Sequence, residues 1–180
     1  IEIKSIFSNK RGNKIVDKTR FYDLKAMVEE LHQKGIAFMV SVWPNVAVGT
    51  ENNEEFAKAG KLLCNFSTYD AFDEEARAIY WKQCEEELFA AGTDAWWCDS
   101  TEPFTPDWQG LVKLSDKERY ELAGDSLKKY LDAREASSYA LLHAKGIYEN
   151  QRAVCDTKRV VNLTRSGSLS CQKFGTILWS

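Results

Sequence analysis

The sequence predicts an α/β fold with a parallel sheet, and two observations carry that prediction. An amphipathic helical pattern, a glycine and a short apolar run follow one another twice, and two further apolar runs come later in the chain. The 180 residues, with 44% hydrophobic and 28% charged side chains, have the composition of one globular domain. No Gly/Ser-rich linker divides them, so we expect residues 1–180 to form a single segment.

The first unit consists of a helix and a buried strand. Apolar residues at three- and four-residue spacing predict a helix over Phe21–Lys34, with Asp17 and Thr19 as candidate caps and Gly35 as its stop. The nearly continuous apolar run Ile36–Trp43 follows and is closed by a proline. Such a run is typical of a strand buried on both faces of a parallel sheet.

The second unit repeats this pattern, and two more strands follow it. Phe72–Leu88 carries an apolar helical face, and Asp94–Cys98 is a short buried strand. A long helical region over about Lys117–Gln151 precedes the strand Arg159–Leu163, and a last strand covers Thr176–Trp179. Strands that alternate with helices predict right-handed crossovers and a parallel sheet.

Charge, hydrophobic patterning and cysteine content exclude several classes of protein. A net charge of -3 and a pI near 5.5 argue against a nucleic-acid binder. No run of about 18 apolar residues predicts a membrane span, and the first residues do not resemble a signal peptide, so we expect a cytoplasmic protein. The five cysteines include no C-x-x-C pair and neither histidine has a ligand at suitable spacing, so no metal, disulfide or cofactor is predicted.

The residues that follow the predicted strands indicate carbohydrate chemistry. Trp43 ends the first strand, Asp99 and then Glu102 follow the second, Arg165 follows the third, and Trp179 ends the fourth. The carboxyl ends of parallel strands meet at one edge, where active sites collect. Aromatic rings stack on sugars, carboxylates attack or protonate acetals, and an arginine binds hydroxyl groups, so this set favours a sugar site.

One stretch also resembles a known family of enzymes. Gly92–Pro103, with the sequence GTDAWWCDSTEP, resembles the nucleophile segment of family 31 glycoside hydrolases, and most closely that of the α-xylosidases. Further segments that resemble the family are Leu31-His32, Ser41–Pro44, Tyr80-Trp81, Leu163–Gly167 and Trp179-Ser180.

The resemblance implies part of a (β/α)8 barrel, about strands 3 to 6. Asp99 would be the catalytic nucleophile of a retaining mechanism, and Trp43, Arg165 and Trp179 would line the sugar subsite. Glu102 would orient a loop or hold a neighbouring strand rather than act as the acid. Three further tryptophans are expected in the core, namely Trp81, Trp96 and Trp97. Residues 1–20 would lead into the barrel, and residues 104–117 would form a loop insertion after the nucleophile strand.

In the family, a Gly-Asp pair that holds the general acid/base follows the segment matching Trp179-Ser180. We therefore expect a portion of a longer enzyme, inactive by itself, whose partners are an α-xyloside or oligosaccharide and the rest of its own barrel. Open sheet edges would favour self-association, including a homo-oligomer. An α-glucosidase of the same family and a non-catalytic carbohydrate-binding relic of the barrel stay open as alternatives.

Overall fold

The protein is described by a computed structural model that covers residues 2–3, 10–64, 66–102, 115–118, 121 and 133–179. Its strands are β1 (Glu2–Ile3), β2 (Met39–Val42), β3 (Ala95–Cys98), β4 (Asn162–Thr164) and β5 (Thr176–Leu178). All neighbouring strands are parallel, in the order β1-β2-β3-β4-β5. The sheet of the described residues is therefore open, with β1 and β5 at its edges. The predicted parallel α/β architecture is confirmed, and β1 is a strand that the sequence did not predict.

Helices fill the connections between the strands. They are α1 (Leu24–Gln33), α2 (Glu51–Ala59), α3 (Glu74–Cys84) with a π-helical turn at Glu85–Phe89, and α4 (Tyr139–Val154), which a 3-10 turn at Ala133–Ser138 precedes. A second 3-10 turn, Cys171–Phe174, leads into β5. Of the predicted region Lys117–Gln151, residues 117–118, 121 and 133–151 are described, and the remainder lies outside the described residues. Most of the predicted loop insertion 104–117 also lies outside them.

The start of α1 differs from the sequence prediction. Asp23 is the N-cap, because its Oδ1 accepts a hydrogen bond from the Ala26 N–H at 2.8 Å. Asp17, one of the predicted caps, instead accepts hydrogen bonds from the N–H and the hydroxyl of Thr19, at 3.0 and 2.6 Å. The two predicted caps therefore form a turn before the helix, and the helix begins later than Phe21.

The core lies between the sheet and the helices. Phe38, Val40 and Trp96 are fully buried, and the indole N–H of Trp96 donates to Oε1 of Gln151 on α4 at 2.8 Å. The ring of Trp81 on α3 lies edge-on to Trp96, with centroids 5.8 Å apart. Trp81 and Trp96 are thus core residues, as predicted. None of the helices in the described ranges is long and apolar enough to span a bilayer.

Asp94 fixes the amino end of β3. Its two carboxylate oxygens contact Nζ of Lys158, Nε2 of His32 and the N–H of Phe38, each at 2.7 Å. Partial burial acts to raise the pKa of Asp94, but the hydrogen bonds from Lys158, the Phe38 N–H and His32 outweigh burial and lower the pKa. One carboxylate therefore joins β3 to the helix before β2 and to the loop before β4.

Candidate active site

Four of the five candidate residues lie at one edge of the sheet, because each directly follows a parallel strand. Trp43 follows β2, Asp99 follows β3, Arg165 follows β4 and Trp179 follows β5. The strand ends are in register: Val42 pairs with Cys98, and Thr164 pairs with Leu178. The sheet thus presents an acid, a guanidinium and two indoles along its carboxyl edge.

Asp99, Arg165 and Glu102 form a contiguous charged group. Nε of Arg165 donates to Oε1 of Glu102 at 2.9 Å, and Nη1 of Arg165 lies 3.7 Å from Oδ1 of Asp99. The three side chains are 37%, 30% and 20% exposed for Arg165, Glu102 and Asp99. The guanidinium lies within reach of both carboxylates and offsets their mutual repulsion. The side chains remain open enough to meet a ligand.

A strained turn after β3 shapes the position of Asp99. The Asp99 N–H donates to the carbonyl of Val42 on β2 at 3.1 Å, which holds its backbone in the sheet. Ser100 then adopts a φ of +59°, in the left-handed region that disfavours a serine. The Ser100 N–H donates to Oδ1 of Asp99 at 2.8 Å. Arg165 and this N–H both contact Oδ1, and among the described residues none hydrogen-bonds Oδ2.

Three hydroxyl groups join the turn after β3 to the end of β4. Oγ1 of Thr101 lies 2.8 Å from Oγ1 of Thr164, and it also hydrogen-bonds Oγ of Ser166. Thr101 and Thr164 are almost fully buried. The sequence analysis assigned these residues no role. The signal for them is their position, since Thr101 stands directly before Glu102 and the other two flank Arg165.

Trp43 is held through its backbone. Its carbonyl accepts a hydrogen bond from the buried Tyr80 hydroxyl at 3.1 Å, and the next carbonyl, that of Pro44, accepts one from the Tyr69 N–H at 3.2 Å. The guanidinium carbon of Arg11 lies 5.9 Å from the centre of the Trp43 ring system. The indole is half-buried, so part of it stays accessible at the edge of the sheet.

Trp179 pairs with an indole that was predicted to lie in the core. The rings of Trp179 and Trp97 are nearly perpendicular at 82°, with centroids 5.2 Å apart. Trp97 is half-buried rather than buried, because its side chain is on the opposite face of β3 from that of the buried Trp96. The core assignment of Trp97 was therefore wrong. The two indoles, Trp97 and Trp179, therefore pack edge to face.

The titratable groups beneath this edge are buried. Burial raises the pKa of the Cys98 thiol, directly before Asp99, above its ordinary value. Burial lowers the pKa of Lys14 to about 8, and its Nζ lies 4.0 Å from the centre of the Tyr80 ring. Within the part of the chain that the structure describes, no group of three His, Cys, Asp or Glu side chains could hold a metal ion.

The chain belongs to glycoside hydrolase family 31, because the sequence model of the TIM-barrel domain of that family matches residues 3–180. An α-xylosidase of Saccharolobus solfataricus is 34% identical over 164 residues, which cover 91% of this chain and 21% of that protein. A family 31 glucosidase of Pseudescherichia vulneris, described as uncharacterized, is 28% identical over 183 residues, covering 94% of this chain and 32% of that protein.

Solved structures agree with this membership. A family 31 α-xylosidase from Xanthomonas citri superposes with a TM-score of 0.84 at 29% identity, over 99% of this chain and 21% of that one. An α-xylosidase from a soil metagenome, solved with xylose, superposes with a TM-score of 0.77 at 23% identity, which shows the shared fold. The chain spans 21% and 32% of the length of the α-xylosidase and the glucosidase that it matches by sequence.

Proposed function

We propose that the protein containing this chain is a retaining α-glycosidase that removes terminal α-xylosyl residues, with Asp99 as its nucleophile. The observation that carries this proposal is the contact of Arg165 with both Asp99 and Glu102 at the carboxyl edge of a family 31 sheet. The 34% identity to an α-xylosidase supports the choice of sugar.

The reaction would proceed by two displacements at the anomeric carbon. Oδ2 of Asp99 attacks that carbon, and the bond to the leaving group breaks as a general acid protonates the departing oxygen. Water, deprotonated by the same group, then attacks the anomeric carbon and releases Asp99. The sugar keeps its anomeric configuration. Arg165 binds sugar hydroxyls, while Trp43 and Trp179 line the subsite.

Glu102 serves this site by holding Arg165. Its Oε1 accepts the hydrogen bond from Nε of Arg165, so that oxygen is engaged in orienting the guanidinium. Its other oxygen, Oε2, is buried and has no hydrogen-bond partner among the described residues. A buried oxygen is badly placed to protonate a leaving group. We assign the acid/base to the family's Gly-Asp pair after the segment that matches Trp179-Ser180.

A covalent label tests the role of Asp99. An activated fluoro-xyloside should inactivate the full-length protein, and peptide mass spectrometry should locate the sugar on Asp99. Asp99→Asn should lower turnover of an aryl α-xyloside by about 10⁴-fold or more. Asp156→Asn is the matched control. Asp156 is exposed in the connection between α4 and β4, toward the amino ends of the strands and away from Asp99. A label on Glu102 would overturn the assignment.

The two alternatives are separated by the same assays. The 28% identity to a family 31 glucosidase supports an α-glucosidase, which requires room for a C6 hydroxymethyl group. A kcat/KM higher for the aryl α-glucoside than for the α-xyloside would favour it. A non-catalytic binding relic would bind xylose or glucose. It would not hydrolyse either aryl glycoside, and the fluoro-xyloside would not label it.

A further inference from the structure

We propose that Thr101 is a positioning residue, whose buried hydroxyl sets the position of the Asp99 and Glu102 loop relative to Arg165. The inference rests on the proposed function, because it concerns the geometry of that site. Thr101 itself is not a ligand of the sugar. It acts through the charged side chains on either side of it.

The hydroxyl of Thr101 reaches both residues that flank Arg165. It lies 2.8 Å from the Thr164 hydroxyl and hydrogen-bonds that of Ser166. The Ser166 N–H also donates to Oγ1 of Thr164 at 3.3 Å, which joins the three into one network. Thr101 and Thr164 are 1% and 3% exposed. Water therefore competes poorly for these hydrogen bonds.

The turn that bears Asp99 has few other polar attachments to β4. Ser100 is in a left-handed conformation, and its buried hydroxyl has no hydrogen-bond partner among the described residues. Among the described residues, the polar side-chain contacts between the turn and the end of β4 include the Arg165 ion pairs and the Thr101 network. The ion pairs are partly exposed, so the buried network fixes the relative position of the two segments.

A displacement of the turn that bears Asp99 should affect the transition state more than the binding of the sugar. A shift of the turn changes two separations at once, the 3.7 Å from Arg165 to Asp99 and the 2.9 Å from Arg165 to Glu102. A misplacement of about 1 Å in an active site can cost about 100-fold in rate. Ground-state binding of the sugar, which involves the indoles as well, is less sensitive to the exact position of Asp99.

Isosteric variants of the full-length protein test this inference. Thr101→Val keeps the shape and removes the hydroxyl, whereas Thr101→Ser keeps the hydroxyl. Thr93→Val is the matched control, because Thr93 is equally buried and its hydroxyl donates to the Leu88 carbonyl at 2.8 Å, before the amino end of β3. The measurements are kcat and KM for an aryl α-xyloside, the rate of Asp99 labelling, and inhibition by xylose.

Thr101→Val should lower kcat and the labelling rate by about tenfold or more, with KM and xylose inhibition within about twofold of wild type. Thr101→Ser should restore most of the rate, and Thr93→Val should leave the kinetics unchanged. Equal slowing by Thr101→Val and Thr93→Val would overturn the proposal, since a general loss of stability would then explain both.

A wild-type rate in Thr101→Val, with Asp99 still labelled, would overturn the positioning role and leave the proposed function intact. Absence of turnover and labelling in the wild-type protein would overturn the proposed function, and the positioning role with it. If Thr101→Val does not fold, Ser166→Ala decides the question. A slower labelling rate in that variant supports the network, and an unchanged rate overturns it.

Discussion

Arg165 is the residue that links the two carboxylates of the site. Its planar guanidinium contacts Glu102 through Nε and Asp99 through Nη1, which requires two donors in a fixed arrangement. Lysine has a single terminal nitrogen, so it cannot present two donors at the fixed spacing that Nε and Nη1 of Arg165 provide. We expect Arg165→Lys to lower kcat/KM for an aryl α-xyloside by about 100-fold, or roughly 2.7 kcal/mol.

Glu102→Gln provides the matched comparison for this substitution. The amide oxygen still accepts the hydrogen bond from Nε of Arg165, so the variant should lose only about tenfold in kcat/KM. Steady-state kinetics of both variants in the full-length protein measure the difference. A Glu102→Gln enzyme as inactive as Asp99→Asn would contradict the supporting role of Glu102 and give it a part in proton transfer or attack.

The sequence was sufficient to predict the charged group but not the contacts that hold it. Asp99 and Arg165 could be placed at one edge because each follows an apolar run, and parallel strands end together. The hydroxyl network of Thr101 depends on the left-handed turn at Ser100, which no local preference of serine predicts. The half-buried position of Trp97 follows from the alternation of side chains along a strand of only four residues.

At the level of secondary-structure elements, the packing of α3 against α4 is built on buried polar rings. His143 on α4 is fully buried, and its Nδ1 lies 2.7 Å from the hydroxyl of Tyr69. The Tyr80 ring on α3 stacks on Tyr69, with centroids 4.5 Å apart, and lies edge-on to His143. Burial, and then the nearby charge of Lys14, lower the pKa of His143 to about 3.

This histidine makes stability depend on pH. Between about 6.5, the ordinary pKa of histidine, and about 3, the unfolded chain binds a proton at His143 that the folded chain does not. The free energy of unfolding should therefore fall as the pH drops through this range, by up to about 1.4 kcal/mol per pH unit.

His143→Gln keeps an acceptor for the Tyr69 hydroxyl and removes the titrating group. The urea midpoints of wild type and His143→Gln should therefore converge as the pH is lowered from 8 to about 5. The values at pH 8, where histidine is neutral in both states, give the baseline cost of the substitution. Parallel curves over the whole range would show that His143 already takes up a proton in the folded protein.

Secondary-structure elements were predicted where a hydrophobic pattern marks them. α2 was missed because Phe56 is its only buried apolar side chain, although Thr50 caps its start and Gly60, with a φ of +68°, ends it. The π-helical turn at Glu85–Phe89 continues the periodic pattern of α3, so the sequence predicted one longer helix. β1 has only two residues, too few to show any periodicity.

At the scale of the whole molecule, the sheet is incomplete in the described residues. Ile177 and Leu178 on the edge strand β5 are 56% and 55% exposed, although strands of a parallel sheet are normally covered on both faces. Unpaired backbone groups along such an edge can pair with another chain. In a complete family 31 barrel, a further strand would pair with β5 and bury these side chains.

We therefore expect the 180-residue chain, purified by itself, to associate, to bind a hydrophobic dye and to show no glycosidase turnover. Size-exclusion chromatography with light scattering measures the association. The full-length protein, assayed alongside, should bind little dye. A monomeric chain with a cooperative melt and no dye binding would mean that the chain completes its own core, against the open sheet described above.

The two ends of β3 carry aspartates in different surroundings. Asp94, at the amino end, binds three partners and holds the strand in place, whereas Asp99, at the carboxyl end, contacts Arg165 and is the nucleophile of the proposed function. Under the proposed function, a genetic screen that scores cellular abundance should register changes at Asp94, and one that scores growth on an α-xyloside should register changes at both aspartates. Under the same proposal, a change at Asp99 would remove hydrolysis and leave a protein that still folds.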